Sequence, residues 1–134
     1  ELFTSQGCSS CPTADALLES YAKRPEVLAL SFSVDYWDYL GWKDTLSDPK
    51  FAKRQRSYAK SRGDGQVYTP QLVVNGSRHV VGSQKAAIDR ALVDHAPTSW
   101  NALSVTTAGE IQSSTESMPI SATLALPSTR RFTL

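Results

Sequence analysis

Two cysteines, at positions 8 and 11, are the residues of this sequence best suited to chemistry. They lie in Gly7-Cys8-Ser9-Ser10-Cys11-Pro12 and are the only cysteines among 134 residues. A strand-like run, Glu1 to Ser5, precedes them, and a run with the apolar spacing of an amphipathic helix follows. The unpaired N–H groups and the positive dipole end at a helix start both favour a thiolate. The pattern therefore indicates the geometry of a dithiol redox site.

Length, composition and charge restrict the alternatives. The 134 residues suffice for one domain with a core, and the 40% hydrophobic and 20% charged content is typical of a globular protein. The net charge of +1 does not indicate a nucleic-acid partner, and no apolar run reaches the roughly 18 residues of a membrane span. Because the chain opens on an apparent strand without Met, we expect a processed or trimmed product, from which an export signal could have been removed.

The order of the predicted elements indicates an α/β domain. Residues Val27 to Val34 predict a strand that is buried on both faces in its first half. Asp48-Pro49 predicts the start of a second helix and Gly63 its end. Asn75-Gly76 between two β-rich runs predicts a hairpin, and Ser83 is expected to cap a third helix. The expected core positions of the second helix are Phe51, Gln55, Tyr58 and Ala59.

The composition changes at Thr98, after which Ser and Thr dominate. Residues 102–107 and 120–126 predict two strands around a polar loop. We therefore expect one domain over residues 1–97 and a β-rich C-terminal extension over residues 98–134, which could be truncated.

Several of these features resemble the thioredoxin-like fold, a central mixed sheet flanked by helices. The matching features are the dithiol at a helix start, Thr69-Pro70 before a strand, the Asn75-Gly76 hairpin and the Gly82-Ser83 helix start. The segments Leu2 to Pro12, Val34 to Asp44 and Tyr68 to Gln71 are similar to a bacterial family of unknown function whose members are often predicted to be secreted. The first resemblance implies a cis-proline at Pro70, and the second implies no settled activity.

We expect thiol–disulfide exchange on a protein or a small thiol, without a cofactor. Cys8 is expected at the exposed lip of the site as the attacking thiolate. Cys11, one helical turn further in, is expected to resolve the mixed disulfide, because the i, i+3 spacing places both side chains on one helix face. The resemblance implies that Thr69 and Pro70 present backbone to a bound substrate chain. The alternative is a passive disulfide or an inert thiol pair.

Three further residues are candidates for the site. Asp15 shares the helix face of the cysteines and is expected half-buried behind them, where it could accept the Cys11 proton. The alternative is an acidic residue that the helix dipole favours. Tyr36 and Trp37 belong to residues 36–42, here called the aromatic loop, which has four aromatic residues in seven and could line a substrate groove or pack onto its own domain.

Two functions from other classes stay open. Cys8, Cys11 and His79 would suit Cu(I) or Zn(II) in a metal-binding or copper-chaperone module, although copper-delivery proteins of the thioredoxin-like group space their cysteines more widely. The second open function is that of a non-catalytic interaction domain built around the aromatic loop. We expect no nucleic-acid partner, because aromatic residues do not interleave with the cations of the second helix. The family resemblance favours a periplasmic or secreted location over the cytoplasm, and the oligomeric state is not indicated.

Overall fold

The first of two compact units, Glu1–Pro97, is a mixed α/β domain with a four-stranded sheet and three helices. The computed structural model describes residues 1–95 and, beyond them, the backbone of four short strands at 112–113, 116–117, 123–126 and 130–133. The elements of the first unit are β1 (Leu2–Thr4), α1 (Cys11–Ala22), β2 (Ser31–Ser33), α2 (Pro49–Arg62), β3 (Gln71–Val74), β4 (Arg78–Val81) and α3 (Lys85–Asp94), with a 3₁₀ turn at Asp38–Leu40. The α/β prediction is confirmed.

The sheet has the strand order β2-β1-β3-β4, with β1 in a central position. Strand β1 pairs in parallel with β2 and antiparallel with β3, which pairs antiparallel with β4. The register of β1 and β3 pairs Phe3 with Gln71. The residues just before β3 therefore lie beside the end of β1, from which the cysteine-bearing loop leaves.

Local signals explain where the helices and the hairpin begin and end. The Asp48 side chain accepts a hydrogen bond of 2.7 Å from the Lys50 N–H, which caps α2, and Gly63 ends this helix with a left-handed φ of 77°. Asn75 and Gly76 turn the β3–β4 hairpin with φ values of 48° and 72°. Within the described part of the chain, no helix is both long and apolar enough to cross a membrane.

The core lies on both faces of the sheet, because side chains alternate along a strand. Leu2 points to the face covered by α1 and α3, where it packs with Tyr21 and Ile88. Phe3 points to the opposite face and packs with Ala52 of α2. Both strand residues are fully buried, so β1 is held from both sides at the point where it enters the site.

Two expectations about local structure are wrong. The strand predicted over Val27 to Val34 is only the three residues of β2, and Leu28 is 81% exposed. A strand at the edge of the sheet has one neighbour, so its flanking residues have nothing on the other side to bury them. Ser83 does not cap α3, because the Gln84 N–H closes a turn onto the Val81 carbonyl and makes Gln84 the first residue of the helix cap.

The second unit, Thr98–Leu134, contains two antiparallel strand pairs. Strand β5 (Gln112–Ser113) pairs with β6 (Glu116–Ser117), and β7 (Thr123–Leu126) pairs with β8 (Arg130–Thr133). Strand β7 lies within the run predicted as a strand over residues 120–126. The strand predicted over residues 102–107 lies outside the described residues.

Candidate functional site

Cys8 and Cys11 form a disulfide at the junction of β1 and α1, with their Cα atoms 5.4 Å apart. Cys11 is the first residue of α1, and its N–H donates a 3.1 Å hydrogen bond to the Cys8 carbonyl. Cys8 therefore precedes the helix and does not share a helix face with Cys11. Its expected place at the exposed lip is also wrong, since Cys8 is 3% exposed and Cys11 fully buried. Ser9 and Ser10 between them are exposed, and the Ser10 hydroxyl lies 3.6 Å from Cys8 Sγ.

The segment Ser5–Ser10, here called the dithiol loop, is anchored by a buried carboxylate. Asp44 is 1% exposed, and its Oδ2 accepts the Gln6 N–H at 2.9 Å. Its Oδ1 accepts the Leu46 N–H at 2.8 Å. Charge-assisted bonds to two backbone N–H groups compensate the burial of this charge. Asp44 thus fixes the chain two residues before Cys8.

Trp37 connects the dithiol loop to the residues before β3. Its indole N–H donates a 2.7 Å hydrogen bond to Thr69 Oγ1. Its Cβ lies so close to Gly7 that a Cβ built on the glycine would be 3.0 Å away, so the dithiol loop passes directly against this tryptophan. The half-buried Trp37 therefore packs the aromatic loop onto its own domain, and its contact with a substrate stays a prediction. The exposed aromatic residues of this loop are Tyr39 and Trp42.

The peptide bond between Thr69 and Pro70 is cis, as the resemblance implied. The Pro70 carbonyl accepts the Gly82 N–H at 2.9 Å. Gly82 leaves room for this contact, since a Cβ there would lie 2.7 Å from Leu2 Cδ1 and 3.3 Å from Pro70 Cβ. Thr69 is half-buried and Pro70 is buried beside the end of β1.

Two buried glutamine side chains hold the residues on either side of this bond. Gln55 and Gln71 are both fully buried. Gln55 Nε2 donates to the Tyr68 carbonyl at 2.7 Å and to Gln71 Oε1 at 2.8 Å. Gln55 Oε1 accepts the Tyr36 hydroxyl at 3.1 Å, and burial raises the pKa of Tyr36, which keeps it a donor. The expected contact of Tyr36 with a substrate likewise stays a prediction.

Asp15 does not lie where the sequence indicated. Its side chain is exposed instead of half-buried behind the cysteines. It lines an open cleft of about 680 Å³ between α1 and the face of β2 that carries Ser31 and Ser33. Although Asp15 follows the buried Cys11 by four positions on α1, its side chain faces the cleft instead of the core. The role of Asp15 as proton acceptor stays a prediction.

The geometry does not support the alternative metal site with His79. The ring nitrogens of His79 lie 2.8 Å from the Tyr68 hydroxyl and 3.2 Å from Asp64 Oδ2. Both nitrogens are thus engaged with other groups, and the two sulfurs are bonded to each other. The part of the chain that the structure describes contains no group of three or more His, Cys, Asp or Glu residues placed to hold a metal ion.

The fold and site define an α/β domain with a buried C-x-x-C disulfide whose spacing is compatible with redox function. The chain belongs to the family described as protein of unknown function, DUF1223, which matches residues 1–131. A crystal structure of an Agrobacterium tumefaciens protein, determined as a structural-genomics target, is similar to it with 45% sequence identity and a TM-score of 0.65. The match covers 71% of this chain and 44% of that one, so this chain spans less than half of its relative. No curated protein matches the chain.

Proposed function

We propose that Glu1–Pro97 is a thioredoxin-like domain that carries out thiol–disulfide exchange through Cys8 and Cys11. The observation that carries this proposal is the C-x-x-C disulfide between the central strand β1 and the first residue of α1. The strand order β2-β1-β3-β4, with helices on both faces, supports the fold assignment. A helix start beside the sulfurs favours the thiolate that exchange requires.

In the reductive direction the Cys8 thiolate attacks one sulfur of a substrate disulfide, R–S–S–R′. The Cys8–S–S–R bond forms as the substrate bond breaks, and R′S⁻ leaves and takes a proton from solvent. The Cys11 thiolate then attacks Cys8 Sγ, closes the Cys8–Cys11 disulfide and releases RS⁻. Two electrons pass from the protein dithiol to the substrate, and the reverse sequence oxidises a substrate dithiol.

Burial decides which sulfur a partner thiolate reaches. Cys8 is 3% exposed and Cys11 is fully buried. Cys8 therefore takes the attack, and Cys11 is the leaving and resolving thiol. Because Cys8 is nearly enclosed, attack requires local opening of the dithiol loop. We propose that Thr69 and Pro70 line the side from which a polypeptide substrate approaches, with Trp37 beside them.

A redox titration with alkylation of trapped variants tests this function. The Cys8–Cys11 pair is equilibrated in glutathione buffers, and we expect a midpoint between about −120 and −270 mV, the range of catalytic oxidoreductases. A midpoint below about −300 mV would indicate a structural disulfide and contradict the proposal. Cys11→Ser should accumulate a mixed disulfide with a peptide disulfide on Cys8, whereas Cys8→Ser should not.

A binding module is the second candidate, favoured by the apolar surface of the loop that follows Trp37. Its four exposed large side chains are Tyr39 (76% exposed), Leu40 (55%), Trp42 (61%) and Leu46 (67%). Apolar side chains that are exposed close together mark interaction surfaces. If Trp42→Ser weakens binding of a polypeptide to Cys8→Ser protein, the domain binds independently of exchange. If it only slows exchange with a polypeptide disulfide, the surface serves the enzyme.

We also propose a periplasmic or secreted location, because members of the family that the N-terminal segments resemble are often predicted to be secreted, and a dithiol can be held oxidised in such compartments. Fractionation of cells that express the full-length protein tests it. Recovery in the cytoplasm with both thiols reduced would contradict this location.

A further inference from the structure

Four polar side chains form a continuous hydrogen-bonded chain that ends at Tyr68, the residue before Thr69. Arg62 donates to the two Asp64 oxygens at 2.7 and 3.1 Å. Asp64 Oδ2 lies 3.2 Å from His79 Nε2. His79 Nδ1 lies 2.8 Å from the Tyr68 hydroxyl. This set of four residues, the His79 chain, is separate from the hydrogen bonds of the dithiol loop.

The protonation states of the His79 chain define the direction of each hydrogen bond. The bond from Arg62, with that from the Gln66 N–H, lowers the pKa of Asp64 to about 2, so Asp64 is an acceptor only. Burial, aided by Arg62 and Arg78 and opposed by Asp64, lowers the pKa of His79, so the ring is neutral at pH 7. A neutral ring that donates to Asp64 through Nε2 must accept through Nδ1. Tyr68, whose pKa is raised by burial, is therefore the donor to His79.

Both ends of the His79 chain attach to the segment before Pro70. Arg62 Nη2 also donates to the Gln66 carbonyl at 3.1 Å, and the Gln66 N–H donates to Asp64 Oδ1 at 2.9 Å. At the other end the Tyr68 ring is held by its hydroxyl on His79, while its carbonyl is held by Gln55. The side chain and the backbone of Tyr68 are thus fixed by two different elements, β4 and α2.

We propose that His79 is a positioning residue for thiol–disulfide exchange: through Tyr68 it holds the Thr69–Pro70 segment in the place where a polypeptide substrate lies. This inference rests on the proposed exchange activity. It assigns to His79 a task in the site other than metal ligation. It also restricts the effect to substrates that contact this segment, because a small disulfide needs only the cysteines.

Two substitutions of similar size separate the two hydrogen bonds of His79. In His79→Asn the amide oxygen occupies the Nδ1 position, so the bond from Tyr68 is kept and the bond to Asp64 is lost. In His79→Gln the amide group reaches the Nε2 position, so the bond to Asp64 is kept and the bond from Tyr68 is lost. Arg90→Gln on α3 is the control, because Arg90 is exposed and its side chain makes no hydrogen bond or ion pair among the described residues.

Exchange rates are measured with a synthetic peptide that contains one disulfide and with hydroxyethyl disulfide. For His79→Gln we expect exchange with the peptide to be slower by roughly fivefold, the factor that corresponds to one hydrogen bond. Exchange with hydroxyethyl disulfide should be unchanged. His79→Asn and Arg90→Gln should match the wild type with both probes, and Tyr68→Phe combined with His79→Gln should be no slower than either alone.

The indole N–H resonance of Trp37, assigned with Trp37→Phe, reports the position of Thr69 without any activity, because this group is bonded to Thr69. We expect the resonance to shift in His79→Gln and to stay in His79→Asn. The inference is overturned if neither the Trp37 resonance nor the rate of peptide exchange changes in His79→Gln. It is also overturned if His79→Asn shifts the resonance and slows peptide exchange as much as His79→Gln does. If wild-type protein exchanges neither probe, the proposed function fails, and the Trp37 resonance alone then decides whether His79 positions the segment.

Discussion

Replacing Gln55 by leucine should cost a measurable part of the stability of the first unit. Gln55 is fully buried on α2, and its amide makes three hydrogen bonds, to the Tyr68 carbonyl, to Gln71 Oε1 and from the Tyr36 hydroxyl. Leucine has a similar volume and fills the space, so the loss is that of the polar contacts rather than of packing. The change in the free energy of unfolding therefore measures what the hydrogen bonds of the buried amide contribute to stability.

The magnitude follows from which partners lose their bonds inside the protein. Tyr36 is half-buried and can turn its hydroxyl towards water, so it adds little to the cost. Gln71 Oε1 lies on a fully buried residue, and the Tyr68 carbonyl loses its bond to the buried amide. An unsatisfied buried group costs about 1–3 kcal/mol, so the Gln71 oxygen predicts a loss of about 1–3 kcal/mol, to which the carbonyl of the half-buried Tyr68 adds little. Domains of this size have only about 5–15 kcal/mol in total.

Urea unfolding of the oxidised protein, followed by tryptophan fluorescence, measures this loss. Gln84→Leu is the matched control, because Gln84 is exposed and its side chain makes no capping bond, and it should change stability by less than about 0.5 kcal/mol. The double variant with Gln71→Leu should lose less than the sum of the two single variants, since both ends of their shared bond are then apolar. A loss below about 1 kcal/mol for Gln55→Leu would refute the reasoning.

Three further substitutions test other parts of the site. Asp44→Asn should cost about 1–3 kcal/mol in urea unfolding, because an amide has one acceptor oxygen for the two backbone N–H groups that the carboxylate binds. Gly82→Ala should cost about 1–3 kcal/mol in the same measurement, because its Cβ would lie 2.7 Å from a Leu2 carbon inside the core. Asp64 has its pKa lowered from 3.8 to about 2, mainly by Arg62, so the stability it contributes is present above 3.8 and lost as the pH falls towards 2. In Asp64→Asn the midpoint of urea unfolding should vary less with pH in that range.

Each of these three has an outcome that would contradict it. Asp35→Asn is the control for Asp44→Asn, because the Asp35 side chain makes no hydrogen bond among the described residues. If Asp35→Asn and Asp44→Asn lower the free energy of unfolding equally, the loss in Asp44→Asn does not come from its two backbone hydrogen bonds. A Gly82→Ala protein as stable as wild type would show that Leu2 can move aside. A midpoint that still falls between pH 4 and 2 in Asp64→Asn would assign the loss to other carboxylates.

The sequence predicts those features that depend on a few neighbouring residues. Asp48-Pro49 and Gly63 define α2 because a cap, a proline and a left-handed glycine act within one turn. Asn75-Gly76 defines the hairpin in the same way. The C-x-x-C pair predicts a disulfide-forming site, since its two cysteines are close in the chain whatever the rest of the fold does.

Burial at the site could not be predicted in this way, because it depends on distant segments. Cys8 is enclosed although it belongs to an irregular loop whose neighbour Gly7 lies against Trp37, thirty positions further along the chain. The exposure of Leu28, which precedes β2, follows from the position of this strand at the edge of the sheet. Asp15 follows the buried Cys11 by four positions on α1, yet its side chain lies at the open cleft beside β2, and only the packing of α1 against the sheet shows this.

Buried polar residues show the same limit. Periodicity places Gln55 on the core face of α2, but only the fold shows that Gln71 and the Tyr68 carbonyl meet it there. Asp44 carries no local signal for burial, and its partner Gln6 is 38 positions away. A polar side chain is stable inside a protein only when its partners are in place, so the sequence position of such a residue gives little information without the contacts.

Asp44 and Gln55 hold two different segments, and this makes a last prediction about how the site is built. Asp44 binds the dithiol loop and Gln55 binds the residues before β3, with no hydrogen-bond partner in common. The losses of Asp44→Asn and Gln55→Leu should therefore add within about 0.5 kcal/mol in the double variant. Trp37 contacts both segments, and Trp37→Phe should remove its bond to Thr69. The losses of Trp37→Phe and Gln55→Leu should therefore not add in the double variant. Urea unfolding of the two double-mutant cycles measures both terms. A coupling above about 1 kcal/mol between Asp44→Asn and Gln55→Leu would contradict the prediction that the two residues stabilise their segments independently.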